Sequence, residues 1–185
     1  MKIGIDISQI VYEGTGVGRY VREMVLGITR IAPEHEYVLF AGTLRQKKAL
    51  SRFVQMVKHQ APHVRSVIIP IPPTFLTILW NVLHVVPITW FTGPLDVFWS
   101  SDWTQPPLGR AVGMTTIHDV SFLRFPESFP KKIIQTQKQR LKHAVRINTH
   151  ILCDSEATKK DIVANFNVSE ERLMVVYPGV TPLHT

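Results

Sequence analysis

His118 and Asp119 stand side by side where an apolar run, Met114–Ile117, gives way to a long aromatic segment marked by Pro126 and Pro130. A histidine beside an aspartate at the end of a buried strand can serve as acid, base or polar anchor in a cleft. The plain alternative is a structural pair. Gly14, Gly16 and Gly18 form a second candidate site, because they run straight into a helical pattern. Backbone N–H groups and the positive helix end there can meet a phosphate or another anion. The spacing lacks the extra residue of a dinucleotide fingerprint, Phe40-Ala41-Gly42 replaces the ribose-binding acid at the second strand, and there is no Walker A sequence. A tight strand-to-helix turn explains the loop equally well. Asp154-Ser155-Glu156 has the form of a helix start, with Ser155 as N-cap and Glu156 in the first turn, and the same N-terminus can offer amides to a ligand.

These groups need a scaffold, and the periodicity supplies one. Strands are expected at Lys2–Ile7, Tyr37–Ala41, Val67–Ile71, Val97–Ser100, Met114–Ile117, His150–Cys153 and Leu173–Val176. Helices are expected at Val17–Ile31, where Tyr20, Val21, Met24, Val25, Ile28 and Ile31 share a face, and at Arg45–Lys58, Thr74–Val86 and Lys131–Asn148, with a further one opened by Ser155. Short continuous apolar strands alternating with helices imply an α/β fold, doubly wound around a mostly parallel sheet. Such sheets bind ligands at the carboxyl ends of their strands, so the loops after Ile7, Ser100, Ile117 and Cys153 are where function is expected.

The chain has 185 residues, 45% hydrophobic and 19% charged, which fits one folded domain rather than a disordered segment. Its single cysteine, Cys153, lies in an apolar run and reads as a buried thiol, and together with an N-terminus that enters a strand directly this favours the cytoplasm. The uninterrupted apolar piece Thr74–Val86 has thirteen residues against the roughly 20 needed to cross a bilayer. Twenty-one basic against 14 acidic residues leave a net charge of +7, which favours an anionic partner. The charge concentrates in a segment from 131 to 153 that has six basic residues, Lys131, Lys132, Lys138, Arg140, Lys142 and Arg146, and no acidic one. This reads either as a solvated face or as a contact for anionic lipid at the inner membrane face. No nucleic-acid motif accompanies it. No metal cluster is legible and no cofactor is expected.

In sequence order, Gly14-Thr15-Gly16-Val17-Gly18-Arg19-Tyr20, His118-Asp119-Val120-Ser121-Phe122, Phe125-Pro126-Glu127-Ser128-Phe129-Pro130, Cys153-Asp154-Ser155-Glu156-Ala157-Thr158 and Glu171 through Val180 resemble the N-terminal domain of the family 4 glycosyltransferases. These are retaining enzymes of GT-B architecture, in which two Rossmann-like domains face each other across a cleft. The resemblance implies a Rossmann-like acceptor domain over 1–180, with 181–185 starting the crossover to a C-terminal donor domain. It implies transfer of a hexose from a nucleotide sugar, GDP-mannose among the candidates, to a glycan or lipid-linked acceptor in polysaccharide assembly. By the same resemblance His118 lies near the transferred sugar, Asp119 orients its surroundings, and Gly14, Gly16, Gly18, Ser155 and Glu156 lie near the donor phosphates. No two glutamates are eight apart, so the family's donor-side Glu-x7-Glu motif is expected in a further domain or partner subunit, without which the chain is expected to be inactive. Thr181 replaces the family's usual Asp. A stand-alone binding or interaction module of the same fold is the alternative.

Overall fold

Every strand of the computed structural model, which describes residues 1–12 and 14–179, runs parallel to its neighbours in one sheet. The seven strands among the described residues are β1 (Lys2–Asp6), β2 (Glu36–Gly42), β3 (Arg65–Ile69), β4 (Val97–Ser100), β5 (Val112–Ile117), β6 (Asn148–Cys153) and β7 (Leu173–Val175). Their order across the sheet is β3-β2-β1-β4-β5-β6-β7. The chain therefore winds outward from β1 in one direction and from β4 in the other, and the switch point between them opens a crevice at the strands' carboxyl ends. This is the doubly wound, Rossmann-like α/β fold. The crossover expected at 181–185 lies outside the described residues.

The apolar runs of the strands follow from helices on both faces of the sheet. Tyr37, Leu39 and Ala41 of β2 join a core with α1 (Gly16–Ile31) and α2 (Lys47–Gln60), while Val38 and Phe40 join Leu76, Trp80 and Phe98 on the other side. These five residues of β2 are all buried, as a parallel strand covered on both faces requires. A third cluster gathers Ile117, Ile151 and Cys153 with Leu141 of α6 (Lys131–Ile147) and Ile162 of α7 (Glu156–Phe166).

Two expectations are corrected. Ile31 is 77% exposed at the end of α1, so the inward face stops short of it. The single helix expected over Thr74–Val86 is a short α3 (Pro73–Thr77) that widens into a π-helix over Ile78–Val82, after which His84 and Val86 take positive φ. Within the wider turn the adjacent Trp80 and Asn81 are both buried. Two short helices, α4 (Thr89–Thr92) and α5 (Ser121–Arg124), complete the elements used below.

Candidate active site

Adjacent strands β5 and β6 pair Ile117 with Cys153. The next residue on each, His118 and Asp154, therefore emerges beside the other at the sheet's carboxyl edge. His118 Nδ1 lies 2.7 Å from Asp154 Oδ2. An ionised carboxylate can only accept, so the contact places a proton on Nδ1 and leaves Nε2 as the ring's second polar position. Thr158 of α7 donates to the His118 carbonyl at 3.0 Å and fixes the backbone. Tyr20 of α1 holds the ring from the other side, edge-on, with centroids 4.9 Å apart and planes at 87°. Burial pushes the Tyr20 phenol up. The Tyr20 hydroxyl and Asp154 Oδ1 are buried and have no hydrogen-bond partner in the protein.

Asp119 takes a different position from the one its sequence neighbour suggests. Its Oδ1 accepts from the Ser121 backbone N–H at 2.8 Å and from the Ser121 hydroxyl at 2.6 Å. It thus closes the turn that starts α5, and the carboxylate that meets His118 is that of Asp154.

The N-terminus of α1 reaches the same region through Tyr20, one turn beyond Gly16. Thr15 caps the helix, accepting from Gly18 N–H at 3.1 Å, and donates to the Tyr12 carbonyl at 2.8 Å. The three glycines have distinct physical reasons. Gly14 sits at φ 85°, a conformation that favours glycine. A Cβ on Gly18 would fall 2.8 Å from the Tyr12 carbonyl oxygen and 2.9 Å from that of Gln9, so Gly18 lets the helix pack on the preceding loop. A Cβ on Gly16 would meet nothing within 4 Å. Gly16 faces a hollow of about 300 Å³ that it lines with Arg19, Tyr20, Glu23 and Met24. Ser155 caps α7 by accepting from Thr158 N–H at 3.2 Å. Glu156 is exposed in the first turn of α7.

Below this layer lies a charged floor absent from the sequence-based site. Asp102 follows β4, and Arg140 of α6 is 2% exposed. Burial raises the Asp102 carboxyl, while Arg140 and then His118 pull it back. Burial likewise lowers the Arg140 guanidinium to about 10, against the attraction of Asp102 and Asp119. Gln105 holds the loop that carries Asp102. Its side-chain amide donates to the Ser101 carbonyl and to Thr115 Oγ1, both at 2.9 Å, and its backbone N–H donates to Asn81 Oδ1 at 3.0 Å. Asp6, at the end of β1, is raised by burial and partly relieved by hydrogen bonds from Ser8, Ser101 and Thr104. Among the described residues, no group of three His, Cys, Asp or Glu side chains converges as for a metal.

The remaining candidates, Lys131, Lys132, Lys138, Lys142 and Arg146, are exposed along α6, away from the inward-turned Arg140. They form a surface rather than part of the His118 site. No helix among the described residues is long and apolar enough to cross a membrane. Sequence reasoning missed the roles of Tyr20, Asp102 and Arg140 and the partnership of Asp154 with His118. The last was recoverable, since neighbouring strands ending in register bring their next residues together.

The chain covers 97% of its length on the crystal structure of a short-chain dehydrogenase from Oenococcus oeni PSU-1, and 80% of that chain, at 10% identity and a TM-score of 0.38, a likeness too slight to carry an argument. No curated protein matches. The sequence model of Glycosyltransferase Family 4, in contrast, matches residues 14–182, which include the glycine loop, the His118 and Asp154 strand ends and the Tyr177-Pro178-Gly179 segment. The chain belongs to Glycosyltransferase Family 4.

Proposed function

We propose that this chain forms the acceptor-side face of a retaining glycosyltransferase that moves a hexose from a nucleotide sugar to a glycan or lipid-linked acceptor. The observation that carries the reading is the His118–Asp154 pair, 2.7 Å apart and braced by Tyr20 at the carboxyl edge of the sheet. Asp154 fixes the tautomer, so His118 Nε2 is the atom available to a sugar hydroxyl. The amides at the start of α1, beside the unobstructed Gly16, are suited to the donor's phosphates. Preorganised donors of this kind act where negative charge grows as the nucleotide departs. The nucleotide itself is held in this reading by a second domain or partner subunit across the cleft. The cations of α6 face anionic lipid at the inner membrane surface, where a lipid-linked acceptor resides.

The full natural protein, together with any separately encoded donor-holding subunit, is to be incubated with a panel of nucleotide sugars and lipid-phosphate or glycan acceptors. The expected result is transfer with the anomeric configuration of the donor kept, read by proton NMR of the product. Inverted product, or folded protein that transfers from none of the donors, contradicts the reading.

A further inference from the structure

A groove of about 590 Å³ runs along the half of the sheet's carboxyl edge that His118 does not occupy. The loops that follow β1, β2, β3 and β4 all contribute to its wall, through Gln9, Leu44, Pro73 and Trp103 among others. None of its lining belongs to the His118–Asp154 pair or to the Gly16 hollow. A hollow within the ~300–1,000 Å³ of small-molecule sites, set between the β1 and β4 loops where the strand order switches, is where an open α/β sheet takes a ligand.

Gln9 is the residue that asks for a ligand. It lies in the 3-10 turn Ser8–Val11 after β1, is only 7% exposed and lines the groove, yet its side-chain amide has no hydrogen-bond partner among the described residues. A polar group buried to this degree costs stability unless something bonds to it, and here that something must come from the groove. Trp103 stands at the mouth, 36% exposed, and its indole N–H likewise bonds to nothing among the described residues. Its backbone is fixed by buried Asn81, which donates to the Trp103 carbonyl at 2.7 Å and accepts the Gln105 N–H at 3.0 Å. The ring is therefore presented by a held loop.

The rest of the lining is hydroxyl and apolar. Among the described residues Arg45 is the one charged side chain in it. Asp6 beneath is already engaged, accepting from the Ser8 N–H at 2.9 Å and the Thr104 hydroxyl at 3.4 Å. A phosphate calls for convergent cations, which a single arginine does not supply. A purely apolar chain would leave the Gln9 amide unpaired. A pyranose meets both demands, since it offers a C–H face to an aromatic ring and a rim of hydroxyls that donate to and accept from an amide. We infer that this groove is a subsite for an uncharged saccharide unit, with Trp103 against the face of the sugar ring and the Gln9 amide bonded to its hydroxyls. That the saccharide belongs to the acceptor rests on the function proposed above; the binding does not.

The test is saturation-transfer NMR of the full natural protein with the neutral methyl glycosides of mannose, rhamnose, glucose and N-acetylglucosamine, without any nucleotide sugar, followed by titration of the strongest binder. At least one is expected to bind, and excess inorganic phosphate is expected not to displace it. Trp103→Ala and Gln9→Leu are each expected to weaken binding by on the order of tenfold, the loss of one good contact. Gln9→Leu keeps a similar volume and removes an amide that the fold leaves unpaired, so its melting temperature is expected to equal or exceed that of wild type. Arg45→Gln is expected to bind the glycoside as wild type does. Should Trp103→Ala not fold, Gln9→Leu decides alone. No saturation transfer to any of the four glycosides, wild-type affinity in either folded variant, or a Gln9→Leu protein that is destabilised would overturn the inference. Displacement by phosphate together with loss of binding in Arg45→Gln would overturn it in favour of an anion. Because no sugar is transferred in this measurement, failure of glycoside binding and failure of glycosyl transfer are separate results.

Discussion

His118 Nδ1 and Asp154 Oδ2 lie 2.7 Å apart although 36 residues separate them in sequence, whereas the adjacent Asp119 bonds Ser121. Asp154→Asn keeps the shape but can present an N–H to Nδ1, favouring the wrong tautomer. It is expected to lower kcat by roughly a hundredfold, the low end of what a positioned proton-transferring group contributes. Asp119→Asn, which retains an oxygen for the Ser121 N–H, is expected to cost less. Steady-state kinetics of both variants in the complete enzyme check the ordering, and a larger loss from Asp119→Asn contradicts it.

Gly16 and Gly18 separate ligand approach from packing. Gly16→Val has open space for its side chain, so the melting temperature is expected to stay near wild type while transfer falls. Gly18→Ala drives a Cβ toward two backbone carbonyl oxygens and is expected to destabilise by about 1–3 kcal/mol, as overpacking does. Thermal melts and transfer assays distinguish the two effects.

Asp6 gives a pH dependence of known sign. Burial raises its carboxyl above the ordinary 3.8, so the folded state binds this proton more tightly than the unfolded chain. The stabilising contribution is complete below pH 3.8 and is lost as pH rises through the raised folded value. Asp6→Asn removes the ionisation and keeps an oxygen for the Ser8 N–H. The melting temperature of Asp6→Asn relative to wild type is therefore expected to rise from pH 4 toward neutrality, and a flat or falling difference contradicts the assignment.

The exposed cations of α6 are expected to act on anionic lipid. Lys138→Glu, Lys142→Glu and Arg146→Glu together should weaken binding to anionic vesicles, each lost contact counting for about 1 kcal/mol. Sedimentation insensitive to both the substitutions and salt would make this a solvated face.

The sheet was legible because parallel strands buried on both faces read as continuous apolar runs, as Tyr37–Ala41 does. The segment Thr74–Val86 was legible as helical but not in its geometry, because a switch from α to π at Ile78 leaves the same continuous apolar run in the sequence. At the site, His118 and the glycine loop stood out by residue type and position. Arg140 did not, because it sits among five exposed cations of the same helix and only the packing of α6 turns it inward. Asp154 read as part of a helix start. Its partnership depends on β5 lying beside β6, which strand order and not local sequence decides.

The central claim, that His118 contacts the sugar as it is transferred, is tested most directly by the kinetics of His118→Ala in the complete enzyme, alongside its thermal melt. A contact that strengthens in the transition state predicts a fall in kcat larger than any rise in KM at a nearly unchanged melting temperature. Wild-type kcat and KM in a stably folded His118→Ala protein would contradict the account.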